Sequence, residues 1–174
     1  MPKRWLTVDP GEDCGLSIWE DNKLILGWTL KMGVVGPLFH YLLVDANDSF
    51  LNDYPEAQDF VDELADYEIE RVVCEDWKLY PWVMYTRDGR ATHALDFDQC
   101  RTARLIGAID LCCRIAGIPL YLQGADIKET AVAAGAENYY YKPLHENRHQ
   151  NDAIQHGVFY SVIEMRLPAL DARV

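Results

Sequence analysis

Three carboxylates stand at the ends of three separate segments of this chain. Asp9 closes the hydrophobic run Trp5-Leu-Thr-Val-Asp9 and begins Asp9-Pro-Gly11. Glu75 closes Arg71-Val-Val-Cys-Glu75, and Asp152 stands in His149-Gln-Asn-Asp152-Ala153, at the opening of the last predicted helix. A carboxylate at a strand tip is costly to bury without a partner. Three brought to one edge of a sheet would repel one another unless a cation joined them, and metal-dependent phosphoryl-transfer sites are built in this way.

The segments between them predict how such a meeting could occur. Arg4–Asp9, Cys14–Trp19 and Leu24–Leu30 read as three strands joined by Asp9-Pro-Gly11 and by the hairpin turn Glu20-Asp-Asn-Lys23. Links this short make them antiparallel. Gly33–Pro37 breaks the pattern, and Phe39–Val44 is either a short helix or an extended piece. Pro55–Tyr67 carries Ala57, Phe60, Val61, Leu64 and Ala65 at helical spacing, with Pro55 in the first turn. Arg71–Glu75 follows as a strand, so this helix is a parallel crossover. Trp77–Ala94 reads as a loop, Asp98–Ala116 as a long helix and Leu120–Leu122 as a further strand. Asp126–Ala134 is a helix with Asp126 as its N-cap, and Asn138–Leu144 is a tyrosine-rich link. Asn151–Met165 is the closing helix, with Ile154, Val158, Phe159 and Ile163 packing inward. The order β-β-β-α-β-α-β-α-α describes one α/β domain over residues 1–174, an antiparallel meander continued by parallel strands and flanked by helices.

Charge limits the partners. The net charge is −12, but Asp45 to Glu70 holds ten acidic residues and no Lys or Arg. Lys78 to Arg104 holds Lys78, Arg87, Arg90, Arg101 and Arg104 against three aspartates. One face can stay acidic and solvated while another meets phosphate, although ordinary surface charge explains any single residue as well. No apolar run reaches the roughly 20 residues that span a bilayer, and Met1-Pro-Lys-Arg-Trp5 has no signal-peptide character, so a cytoplasmic chain is expected. The five cysteines, Cys14, Cys74, Cys100, Cys112 and Cys113, show neither zinc spacing nor a disulfide framework and read as buried thiols.

With the segments in this order, the chain resembles the ribonuclease H-like superfamily and, within it, the RuvC-type Holliday-junction resolvases. Leu6-Thr-Val-Asp9-Pro-Gly11 resembles the family's first-strand motif and Val72-Val-Cys-Glu75 its fourth-strand glutamate. Arg101–Gly117, Ile118-Pro-Leu-Tyr121 and Ala125-Asp-Ile-Lys-Glu-Thr130 resemble its long helix, next strand and lysine-bearing helix. His149-Gln-Asn-Asp152-Ala153 resembles its final-helix motif. The resemblance implies a ribonuclease H-like mixed sheet and a metal-dependent endonuclease on branched DNA, of bacterial or phage origin. It departs from the family in its acidic balance, in Glu12 and Asp13 after the first strand, and in the long Trp- and Tyr-rich loop after Glu75.

On that reading Asp9 bridges two Mg²⁺ or Mn²⁺ ions, about 3.5–4 Å apart in such sites. Glu75 holds one and Asp152 the other, and His149, three residues before Asp152 on one helix face, is a ligand or a proton carrier. No organic cofactor and no membrane are implied. Lys78, Trp82, Arg87, Arg90, Arg104 and Lys128 are the expected DNA contacts, with Trp77, Tyr80, Trp82 and Tyr85 able to stack on unpaired bases. Simpler readings stand beside each: Asp9 as a turn residue, Glu75 paired with Lys78, Asp152 as a helix cap, the aromatics packed under their loop. His145, His149 and His156 would then be a polar helix face, and Lys128 and Lys142 solvated. A symmetric junction calls for paired cuts, hence a homodimer, expected to form through Leu105, Ile109 and Cys112 of the apolar long helix. Other ribonuclease H-like nucleases, acting on flaps, single strands or RNA–DNA hybrid, and a non-catalytic DNA-structure-binding protein are the alternatives.

Overall fold

The computed structural model describes residues 3–11, 13–31, 55–76 and 101–166. Strands β1 (Arg4–Asp9), β2 (Asp13–Glu20) and β3 (Lys23–Lys31) form the expected meander. Glu20 pairs with Lys23, and Asp21 between them takes φ 51°, a left-handed conformation that Asp tolerates. Helix α1 (Pro55–Asp66) leads into β4 (Ile69–Glu75), and α2 (Arg101–Ala116) leads into β5 (Leu120–Gln123). Both β4 against β1 and β5 against β4 run parallel, giving one sheet in the order β3-β2-β1-β4-β5.

A tight turn at Ala125–Ile127 precedes α3 (Lys128–Ala133), and α4 (Arg148–Phe159) closes the fold, passing into a wider turn at Tyr160–Glu164. Two expected boundaries move. Asp126 is exposed and caps nothing, because the chain is already turning at Ala125. Helix α4 starts at Arg148 rather than Asn151, so Asp152 lies in its second turn and is not a cap. Ile163 is 44% exposed, because the helix widens at Tyr160 and Ser161 takes the inward place, its hydroxyl donating to the Gly157 carbonyl. Phe39–Val44, Trp77–Ala94 and Cys100 lie outside the described residues; the other four cysteines are buried free thiols.

Strand alternation sorts the core into two layers. Leu6, Val8, Val72 and Cys74 face α1 and α2, where they meet Leu64, Leu105, Ile109 and Cys112. Trp5 and Val73 face α4, with Ile154, Val158 and Tyr160. Thr7 points the same way as Trp5, its hydroxyl donating to the Ala153 carbonyl at 2.8 Å. It also bonds Ser17, whose oxygen accepts the Trp19 indole N–H. Helix α4 lies very close to the sheet because two glycines make room. A Cβ on Gly15 would overlap the His149 carbonyl, and one on Gly157 would overlap the Trp19 indole.

The two-layer core corrects the expected dimer surface. Leu105, Ile109 and Cys112 are at most 5% exposed and face the chain's own sheet. The period of α2 turns its apolar stripe inward, so those residues cannot form an interface.

Candidate metal centre

Strand parity decides where the first two carboxylates point. Asp9 follows Trp5 and Thr7 at intervals of two, and Glu75 follows Val73, so both leave the sheet on the α4 side. In the parallel register Val8 pairs with Cys74, which sets Asp9 and Glu75 side by side at adjacent strand tips. Helix α4 supplies the rest. His149, Asp152 and His156 recur at spacings of three and four, one stripe of a helix.

These side chains converge on the ammonium of Lys128, the first residue of α3. Its Nζ lies 3.0 Å from Glu75 Oε2, 3.3 Å from Asp152 Oδ2 and 3.7 Å from Asp9 Oδ1. The three carboxylates therefore surround one point already held by a positive charge. His149 adds its Nδ1 at 3.4 Å from Asp9 Oδ2, beside Gly11. Asp9 is 7% exposed, so the cluster is recessed but open on the His149 and Lys128 side.

The electrostatics show what this proximity costs. Burial, then the hydrogen bond shared with Glu75, and then the charges of Glu75 and Asp152 push the Asp9 carboxyl up to about 8, against the pull of Lys128. Burial would raise Glu75 too. Hydrogen bonds with His156, Asp9 and Lys128, and the Lys128 charge, outweigh it and hold Glu75 down at about 2. Burial would lower the Lys128 ammonium, but Asp9, Glu75 and Asp152 push it up. The Asp9 carboxyl thus favours its protonated form beside Glu75, and a divalent cation would displace that proton. Carboxylate oxygens with an imidazole nearby suit Mg²⁺ or Mn²⁺. Asp9 and Glu75 offer carboxylate oxygens that fit such a cation.

The simpler reading sets His156 with His145 and His149 on a polar face, yet it is completely buried, with Nε2 2.9 Å from Glu75 Oε2. Donor atoms of Asp9, Glu75 and His156 lie within 4.8 Å of one another. The three-and-four spacing of His149, Asp152 and His156 was the available signal. His145, by contrast, is exposed, its side chain beside Glu146. Of the expected DNA contacts, Lys78, Trp82, Arg87 and Arg90 lie outside the described residues. Lys128 stands among the carboxylates, and Arg104 is half-buried on α2, the helix covering the opposite face of the sheet. No described helix is long and apolar enough to cross a membrane.

No family model matches the chain, and no curated protein matches it by sequence. Solved structures do. Thermus thermophilus RuvC in complex with a Holliday junction is 14% identical, over 92% of this chain and 96% of that one, with a TM-score of 0.54. A second Thermus thermophilus RuvC structure is 15% identical over 90% and 94%, at 0.52. The Fowlpox virus resolvase bound to Holliday junction DNA is 11% identical over 95% and 99%, at 0.50. The chain has the ribonuclease H-like fold of these RuvC-type resolvases, as its mixed five-stranded sheet already indicated.

Proposed function

We propose that this protein is a metal-dependent endonuclease that cleaves branched DNA, Holliday junctions in the first place, by phosphodiester hydrolysis. The observation that carries the reading is the meeting of Asp9, Glu75 and Asp152 around a single cation position, where Lys128 now stands. The fold shared with two junction-bound resolvases supports the substrate. Mg²⁺ or Mn²⁺, as two ions, would supply an activated water and relief of charge on the leaving oxygen. Asp9, the most buried of the three carboxylates, would hold both ions, with Glu75 and Asp152 holding one each. His149, beside Asp9 and a third exposed, would hold or move a proton at Nδ1. Lys128 has a fixed positive charge within reach of any phosphate brought to the carboxylates. Lys78, Trp82, Arg87 and Arg90 would grip the arms of the junction, whereas Arg104 stands on the face of the sheet away from the carboxylates. Paired cuts are supplied by a homodimer with two-fold symmetry, through a surface other than the buried face of α2. A bacterial or phage cytoplasm is the setting proposed.

The deciding experiment incubates the protein with labelled four-way junction, flap, duplex and RNA–DNA hybrid, with Mg²⁺, with Mn²⁺ and with chelator. Symmetric junction cuts that require metal and vanish in Asp9→Asn are expected. Cutting of flap or hybrid in preference would move the assignment to another ribonuclease H-like nuclease. Junction binding without cutting in either metal would leave a structure-selective binder.

A further inference from the structure

Glu75 Oε2 is held by His156 as well as by Lys128. Its Oε2 lies 2.9 Å from His156 Nε2, and the far ring nitrogen, Nδ1, lies 3.0 Å from Gln123 Oε1. Gln123, at the tip of β5 opposite Glu75, is 4% exposed. Its own orientation follows from its other side, where Nε2 donates to Glu164 Oε1 at 3.0 Å. A carboxylate oxygen there only accepts, so the Gln123 carbonyl must face His156 and receive its Nδ1 proton. On the opposite edge of the ring Nε2 meets Glu75 Oε2, donating to it when the ring carries its second proton. Gln123 is thereby fixed between the two, accepting from His156 and donating to Glu164.

His156 occupies a place an apolar side chain would fill at lower cost. It stands on α4 and is fully buried. A buried imidazole is tolerated only where its nitrogens are bonded, and here they are bonded by residues of two different strands. Three elements thereby agree on one orientation: β4 through Glu75, β5 through Gln123, and the turn after α4 through Glu164.

We propose that His156, oriented by Gln123 and Glu164, is a positioning residue that sets how Glu75 presents its carboxylate to the cation. The inference rests on the metal reading of Glu75 given above. Partners of this kind, behind a ligand, are commonly worth about 10–100-fold in metal affinity.

The test has two arms on the full chain. In the first, the metal-free protein is labelled with ¹⁵N-histidine, and His156→Gln assigns the signals. Glu75→Gln should move the His156 Nε2 resonance, and Gln123→Leu should move Nδ1. In the second arm, Mg²⁺ and Mn²⁺ binding is measured by calorimetry. His156→Leu should weaken both ions by the same factor, about 10–100-fold. His156→Gln, whose amide N–H still reaches toward Glu75, should recover most of that loss, and Gln123→Leu should show a smaller loss in the same direction. Should His156→Leu fail to fold, the His156→Gln and Gln123→Leu variants carry the comparison. Indifference of Nε2 to Glu75→Gln would overturn the proposal, as would parental affinities in every variant. A loss confined to Mn²⁺ would also overturn it, making His156 a direct ligand. A parent chain that binds neither ion removes the metal reading of Glu75, and the metal-free spectra then decide whether His156 still holds that side chain.

Discussion

The Lys128 ammonium stands 3.0 Å from Glu75 Oε2, at the point where that carboxylate meets Asp9 and Asp152. A protein cation thus offsets three acidic groups that would otherwise repel. Lys128→Met should destabilise the metal-free protein by about 1–3 kcal/mol, the usual cost of leaving buried acceptors unsatisfied. Mg²⁺ should then raise the melting temperature of the variant more than that of the parent. Thermal melts with and without Mg²⁺ check this; equal increments in the two proteins would contradict it.

The pH dependence follows from Asp9 and Glu75. The Asp9 carboxyl moves from 3.8 to about 8, so the folded protein keeps a proton that the unfolded chain releases. That contribution to stability is complete below about pH 3.8 and is lost as pH rises through about 8. Glu75 acts oppositely: held at about 2 against 4.5, its contribution is present above pH 4.5 and is lost as pH falls through 2. Asp9→Asn has no such carboxyl to ionise. Its stability relative to the parent should therefore rise steadily between about pH 4 and pH 8, in the absence of metal. Urea titrations at several pH values measure the difference, and a flat difference would refute the raised Asp9 carboxyl.

Gly15 and Gly107 make a contrasting pair. A Cβ on Gly15 meets the backbone of His149, which cannot yield without moving α4. Gly15→Ala should cost about 1–3 kcal/mol or more and should reduce cleavage, because His149 and Asp152 move with the helix. Gly107 is exposed on α2 with nothing within 4 Å of its Cβ position. Gly107→Ala should stabilise by up to about 1 kcal/mol through helix propensity, with cleavage unchanged. Denaturation midpoints and junction-cleavage rates on both variants check the pair.

Leu105 belongs to the chain's own core. Leu105→Ala should lower stability by about 2–5 kcal/mol and leave the oligomeric mass as in the parent. Sedimentation of the parent and the variant tests the point; conversion of a parental dimer to a monomer would return Leu105 to an interface.

Much of the fold was legible because its signals are local. The hydrophobic run Trp5–Asp9, the four-residue hairpin Glu20–Lys23 and the helical stripe of Pro55–Tyr67 each reflect forces acting over one turn or one pair of neighbouring residues. Parallel crossovers follow from the same order of elements. The identity of the three carboxylates was legible too, since an acidic residue at the end of a hydrophobic strand is conspicuous. Misplaced features were those that depend on orientation. An apolar helix does not say which of its faces meets the sheet, and the dimer interface expected at Leu105, Ile109 and Cys112 is part of the chain's own core.

By itself, the sequence determined the order of strands and helices, the mixed sheet, and the convergence of Asp9 and Glu75, whose strand positions share parity. Only the tertiary structure decided that Lys128 fills the space between the carboxylates and that His156 bonds Glu75. Those relations join residues far apart in sequence, Lys128 with Asp9 and His156 with Glu75. They depend on how closely α4 approaches the sheet, which the missing Cβ atoms of Gly15 and Gly157 set. Burial then gives each charge its meaning: the same lysine or histidine is a solvated side chain in water and, in a recess of low polarity, a partner that the carboxylates require.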